Sequence, residues 1–271
     1  MGKTTTIETF DSTWSPVTGC LHGCVFCYAK RIADRFAGYV QDDENRHKYS
    51  ITGYKGRNIY TVESPMVKQT KSGEIQTAPY PFGFAPTLFT YKLDEPQTWK
   101  EPKNIFVCSM ADLFGQWTPD KWIQHVFDAC DKAPQHRYFF LTKNPMRYTY
   151  LKESGKLPKR DNFWYGTTIT NKTGEFFAPY FKDGYHCFLS IEPIQENIFT
   201  GWEHRDLVGN SIEWIIVGAE TGNRVGKIRP KKEWILKIAE VCENANIPLF
   251  MKDSLQKQMG DDFRQEYPWP N

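Results

Sequence analysis

Nowhere in its 271 residues does the chain hold an apolar run approaching the roughly 20 residues of a membrane-spanning helix. The N-terminal stretch lacks the apolar core of a signal peptide. The expectation is a protein of a reducing, cytoplasmic compartment that makes no membrane contact. Excess charge is also missing. Against 34 Lys and Arg stand 32 Asp and Glu, and a formal charge of +2 neither demands a polyanionic partner nor forbids a local basic groove. Gly2-Lys3-Thr4 lacks the glycine-rich turn of a phosphate loop, and Met1–Thr6 meets only the minimal acylation pattern. There are no repeats and no low-complexity tracts. No second C-x2-C knuckle accompanies the cysteines and no H-x-E occurs, which argues against a paired-knuckle zinc domain and a zinc deaminase.

What is present is a high aromatic content, 15%, enough for a core and for surfaces on which a planar ligand stacks. Short β-branched or aromatic runs read as buried strands at Thr87–Tyr91, Asn104–Ser109, Arg137–Thr142, Phe163–Thr168, His186–Ile191, Glu213–Gly218 and Pro248–Lys252. Another short strand is expected around Ser12–Thr18. Helical periodicity marks Pro119–Ala133, with Thr118 as N-cap and Pro119 at the first helical position. It also marks Lys231–Ala245, where Trp234, Ile235, Ile238 and Val241 share a face. Alternation of strand and helix predicts an α/β fold, a full or partial parallel (β/α) barrel forming one domain over 1–271. An open doubly wound sheet is the alternative. The stretch at about 41–84 breaks the pattern, with only a short strand expected at Asn58–Val62, and reads as an irregular insertion or lid, and the tail after Gly260 as irregular.

Seven cysteines is an odd count, which with no secretory signal argues against a disulfide scaffold. Cys108, Cys130, Cys187 and Cys242 sit singly in apolar or amphipathic segments, as buried small hydrophobes do. The other three lie in "GCLHGCVFCYAK", spaced Cys20-x3-Cys24-x2-Cys27. Three thiolates on one short loop can hold three irons of a [4Fe–4S] cubane and leave the fourth open. The amino and carboxylate groups of S-adenosylmethionine (SAM) can occupy that open iron, and electron transfer then cleaves a C–S bond to give a 5′-deoxyadenosyl radical. A structural zinc ion held with His22 or a distant ligand, and a fortuitous group of buried thiols, are the rival readings. Gly19 and Gly23 within the loop favour a backbone wrapped about a ligand.

The cysteine spacing, with Phe26 before the third cysteine and Tyr28-Ala29 after it, resembles the radical SAM superfamily. "TWSPVTGC", "IFVCSMADLF", "FFLTKNP", "FWYGTTI", "FLSIEPI", "WIIVGAETG", "IRP" and "PLFMKDSL" occur in an order similar to that of a phage and bacterial Gp37/Gp68-like family. This likeness runs from about Trp14 to Leu255 except for 41–84. A more distant likeness is to spore photoproduct lyase, which acts on thymine adducts in DNA. The resemblance implies a barrel of the radical SAM type, with cluster ligands Cys20, Cys24 and Cys27 and the backbone near Phe26 and Tyr28 against the adenine. It also implies an external one-electron donor of flavodoxin or ferredoxin type, and a bacterial or phage-infected cell as the setting.

Polar residues follow the expected strands, at the end where parallel barrels build their sites: Ser109 and Asp112, Lys143, Thr167 and Thr168, Glu192, Glu220 and Lys252. The superfamily's usual Gly-Gly-Glu is replaced here by Ser109-Met110-Ala111-Asp112. By the resemblance, Ser109 and Asp112 belong near the SAM amino group, Lys143 at its carboxylate and Thr168 on the ribose side. Glu192, Glu220, Arg229 and Lys252 are candidate substrate contacts, and "GAETGNRVGKIRPKK" combines glycines with cations that suit phosphate. Cys108 and Cys187, at or near strand ends, are candidate hydrogen donors. The expected activity is hydrogen abstraction from a modified base, a substituted thymidine in DNA or a nucleotide. Rearrangement in phage DNA hypermodification, or lesion repair, would follow, which makes the enzyme an isomerase or lyase. A peptide or small metabolite as substrate, and a zinc-stabilised nucleic-acid-binding module, are the alternatives.

Overall fold

The computed structural model describes residues 7–170, 184–198 and 212–269. The chain packs as two compact units, one from Ser12–His136 and the other from Arg137 onward together with the segment ending at Asp11. No helix among the described residues is long and apolar enough to cross a membrane.

The first unit runs β1 (Ser12–Trp14), β2 (Val17–Thr18), α1 (Tyr28–Arg35), α2 (Asp43–Arg46), β3 (Tyr49–Tyr54), β4 (Arg57–Val62), β5 (Val67–Gln69), β6 (Ile75–Thr77), β7 (Thr87–Phe89), β8 (Asn104–Val107) and α3 (Asp120–Asp131). β1 and β8 pair in parallel, Trp14 opposite Val107. A mixed four-stranded sheet has the order β2-β7-β4-β3, and β5 pairs with β6 as a hairpin. The stretch at 41–84, read from sequence as irregular, therefore carries two hairpins. Its apolar residues are sparse because each hairpin buries little: Ile59, Val62, Met66 and Ala78 point inward, while β6 is exposed throughout. Thr87–Phe89 is a buried strand as expected, but it belongs to this mixed sheet.

The second unit runs β9 (Arg137–Thr142), α4 (Met146–Glu153), β10 (Phe163–Thr168), β11 (His186–Ile191), β12 (Ile212–Val217), α5 (Lys232–Ala245), β13 (Leu249–Met251) and α6 (Gln256–Met259). Strands β9 to β13 pair in chain order, each parallel to the next. Parallel strands fed by crossover helices need both faces covered, and every residue of β10 is buried. The protein is thus α/β, with parallel strands in both units. The helix expected at Lys231–Ala245 begins at Lys232 and buries Ile235, Ile238, Ala239, Val241 and Cys242. α3 begins one residue later than expected. Pro119, not Thr118, is its N-cap, and the Thr118 hydroxyl turns back to the Asp112 carbonyl at 3.5 Å.

Register decides what one face of the second sheet carries. Phe139 lies opposite Trp164, and Phe188 opposite Trp214. Towards the strand N-termini these rings pack with Phe10 and Trp269, the Phe139–Trp164 pair stacked at 5.8 Å and Phe10–Phe139 tilted at 4.9 Å. The tail after Gly260 is irregular as expected, yet it is pinned beside β13, where Met251 N–H donates to Arg264 and Glu266 N–H to Leu249. Side chains alternate along a strand, so the polar residues two and four places further on emerge on the same face.

Candidate functional site

In the first unit the chain leaves β1, forms β2 and turns at Gly19. The turn needs glycine: φ is 85°, and a Cβ there would overlap the Ala85 carbonyl. Gly19 N–H donates to the Met110 carbonyl at 2.9 Å and Cys20 N–H to Phe84 at 3.2 Å, fixing the start of the cysteine loop. Gly23, at φ 70°, meets only open space. Cys27 caps α1, its sulfur accepting from Lys30 N–H at 3.3 Å. None of the three cysteines is in a disulfide, and all are partly exposed.

β8 ends abruptly. Cys108 adopts a left-handed backbone, φ 57°, while its N–H donates to the Trp14 carbonyl at 2.7 Å. The chain behind it folds onto the cysteine loop. Tyr28 donates its hydroxyl to the Ser109 carbonyl at 2.7 Å, and the Ser109 hydroxyl is 3.4 Å from that of Ser15. Asp112 is buried; its Oδ2 is 2.7 Å from His22 Nε2 and its Oδ1 accepts from Phe114 N–H at 3.0 Å. Trp117 meets the His22 ring edge-on at 4.9 Å. The structure therefore brings Ser109 and Asp112 to the cysteines, but Asp112 is engaged by His22, a residue between the first two cysteines. Sequence reading weighed His22 only as a zinc ligand.

Burial pushes the Cys20 thiol up to about 12, with Asp112, Cys24 and Cys27 adding in the same direction against a backbone hydrogen bond at His22. A pocket of thiols beside a carboxylate resists further negative charge until a cation shares it. Soft thiol donors suit iron–sulfur ligation. The donor set thus fits a cluster, although among the described residues no three His, Cys, Asp or Glu side chains are gathered as a ready metal site. Phe26 is half-buried in the loop, and Tyr28 opens α1 with its ring 44% exposed.

In the second unit, Thr168 ends β10 opposite Ser190, and Thr167 lies opposite Thr142. Thr168 and Ser190 thus put two hydroxyls side by side on the face described above, and Lys143 follows directly on the end of β9. Ser190 is the member that sequence reading missed; its position two residues before Glu192 was the available signal. One rung further, Glu192 follows β11, Gly218 follows β12 and Lys252 follows β13. Glu192 Oε1 meets Lys252 Nζ at 2.9 Å, and its Oε2 accepts from the Ser190 hydroxyl at 3.0 Å. The bridge passes over Gly218, where a Cβ would come within 2.8 Å of the Glu192 carboxylate. Burial alone would lower the Lys252 pKa, but the charge and hydrogen bond of Glu192, with Glu8 beyond, raise it.

The other expected residues do not join this pair. Glu220 is buried and holds Arg224 through Oε1 at 2.9 Å, its Oε2 without a partner. Arg229 is exposed against Gly226. No hydrogen bond or ion pair among the described residues links either to Glu192 or Lys252. Cys108 and Cys187 are fully buried. Burial pushes the Cys108 thiol up to about 12 and that of Cys187 further, and Cys187 donates to the Tyr185 carbonyl near the start of β11, not its end. Both behave as packed core thiols.

A family profile described as "Protein of unknown function (DUF5131)" matches residues 4–264, and the chain belongs to that family. No curated protein and no solved structure matches it.

Proposed function

We propose that this DUF5131 member is a radical SAM enzyme acting on a modified base, a substituted thymidine in DNA or a nucleotide. One observation carries the reading: three cysteines outside any disulfide, spaced Cys20-x3-Cys24-x2-Cys27 on a glycine-started loop that runs into the N-terminus of α1. Those residues would hold a [4Fe–4S] cluster. Such a cluster would pass one electron, from an external flavodoxin- or ferredoxin-type donor, to SAM, whose C–S cleavage to methionine and a 5′-deoxyadenosyl radical is the hydrogen-abstraction chemistry it would supply.

The chain's own residues hold and orient. Gly19 and the Asp112–His22 bond set the path of the loop, and Tyr28 ties α1 to the segment after β8. In the second unit, Lys143, Thr168 and Ser190 offer a cation and two hydroxyls to a ligand bearing carboxylate and hydroxyl groups, bordered by Glu192–Lys252. Parallel strands with polar residues at their C-terminal ends support a partial barrel of the radical SAM type. The resemblance to spore photoproduct lyase and to phage proteins supports the thymidine substrate. The test is anaerobic reconstitution with iron and sulfide, then incubation with SAM, a reductant and deuterated thymidine-containing substrates. Deuterium in 5′-deoxyadenosine is the expected result. A reconstituted, reduced protein that never cleaves SAM removes the reading.

A further inference from the structure

We propose that the β3–β4 hairpin is a ribbon that grips the backbone of duplex DNA, an inference that rests on the nucleic-acid substrate proposed above. β4 is supported on its far side by β7 only along Tyr60–Val62. The outer part, from Gly53 and Tyr54 opposite Asn58 and Arg57, stands as a bare two-stranded ribbon. Its side chains are exposed on both strands from Ser50 to Asn58, apart from half-buried Tyr54. Hairpins of this kind are barely stable alone, so a projecting one asks for a reason.

The base of the ribbon is rigid. Tyr60 stacks on Phe82 at 3.7 Å, Tyr39 and Tyr49 pack edge-on against Phe82, and Val62 lies in a small core with Met66, Ala78 and Phe89. The same sheet contains β2, which leads through Gly19 into Cys20. A duplex held by the ribbon is thereby held in a defined relation to the cysteine loop.

The chemistry of the tip selects a polyanion. Lys55 and Gly56 form the two-residue turn with φ of 44° and 76°, the geometry of a type I′ turn. Asn-Gly is the favoured pair there, yet this chain keeps a lysine in the strained first position. Arg57 follows it, and neither cation has an ion-pair partner among the described residues. No Asp or Glu occurs from Tyr49 to Val62. Of the acidic residues flanking the hairpin, Asp42 caps α2, Asp43 pairs with Arg46 and Glu44 with Lys48, and the exposed Glu63 lies at its base, away from the tip. Ser50, Thr52 and Asn58 add neutral hydrogen-bonding groups. Two strands about 4.8 Å apart fit a major groove about 12 Å wide.

The experiment measures binding of a fluorescent duplex by anisotropy over a range of salt, for the full chain, Lys55→Asn, Arg57→Gln and the double variant. Lys55→Asn suits the turn, so thermal melting should be unchanged or raised, which separates binding from folding. The expected result is steep salt dependence for the unsubstituted chain. In the double variant the log–log slope should fall by about 2, at about 0.9 per phosphate contact. A double variant that binds like the parent overturns the ribbon and leaves the DNA substrate standing. A parent that binds no duplex yet transfers deuterium from a free nucleoside overturns the ribbon and leaves the nucleotide, not DNA, as the substrate. Concentration-dependent self-association abolished by the same substitutions would make β3 a dimer edge and overturn the proposal too.

Discussion

Asp112 and His22 are joined by a 2.7 Å bond between Oδ2 and Nε2, tying the segment after β8 to the middle of the cysteine loop. The same carboxylate accepts from Phe114 N–H, so one buried group anchors two stretches of chain. Asp112 is accordingly a positioning residue in the first unit. Replacing it with alanine leaves a buried N–H unpaired and frees the loop, at a cost of roughly 1–3 kcal/mol. Asp112→Ala should lower both the melting temperature and the iron bound per chain after anaerobic reconstitution. Asp112→Asn, which keeps an acceptor for Phe114, should recover most of the melting temperature. Full iron loading in both variants would show that the tether does not shape the loop.

Cys27 has two separable duties. As N-cap it accepts from Lys30 N–H, a duty serine performs well, whereas alanine costs about 1 kcal/mol. Cys27→Ser should therefore keep the parent's melting temperature while losing the visible absorbance of a reconstituted cluster. Cys27→Ala should lose both. If Cys27→Ser reconstitutes with the parent's iron content, Cys27 is not a ligand.

Two glycines should tolerate alanine differently. Gly19→Ala meets the Ala85 carbonyl and a left-handed φ at once, and is expected to cost more than about 3 kcal/mol or to prevent folding. Gly218→Ala crowds the movable Glu192 carboxylate and comes into ordinary contact with the Lys252 side chain. It should cost about 1–2 kcal/mol and break the bridge to Lys252. Urea unfolding compares them, and an equal loss at both positions would contradict the crowding described at Gly19.

The Glu192–Lys252 pair makes an alkaline prediction. The folded Lys252 pKa lies above its ordinary value of 10.5, burial lowering it less than Glu192 raises it. A raised amine pKa means stability that is fully present below 10.5 and lost as pH climbs through the folded value. The stability advantage of the parent over Lys252→Met should therefore be constant from neutral pH to about 10 and shrink above it. Denaturant titrations of the two proteins side by side cancel the ionisation of the buried thiols common to both. A gap that widens with alkali would falsify the pairing.

Much of this organisation was legible in the residues. Five parallel strands of the second unit announced themselves because a strand buried on both faces must be apolar and short, as at Arg137–Thr142 and Phe163–Thr168. The cysteine spacing was equally plain, since three ligands for one centre must lie within a loop's reach. Of the hairpins at 41–84 only the strand at Asn58–Val62, within β4, was legible: a ribbon largely in water carries no periodic apolar signal, and pairing across the chain defines the rest. His22 and Ser190 were hidden for another reason. A histidine beside cysteines looks like a ligand, and a serine inside an apolar strand like filler, until packing supplies the partner.

The order of residues by itself determined which chemistry is available: three close thiols, and polar groups placed where strands stop. Only the tertiary structure decided which of those groups meet, because Asp112 and His22 are separated by 90 positions, and Glu192 reaches Lys252 only across a glycine on the strand between them. Contacts of that span depend on strand register, which pairs distant residues through backbone hydrogen bonds that no local pattern encodes.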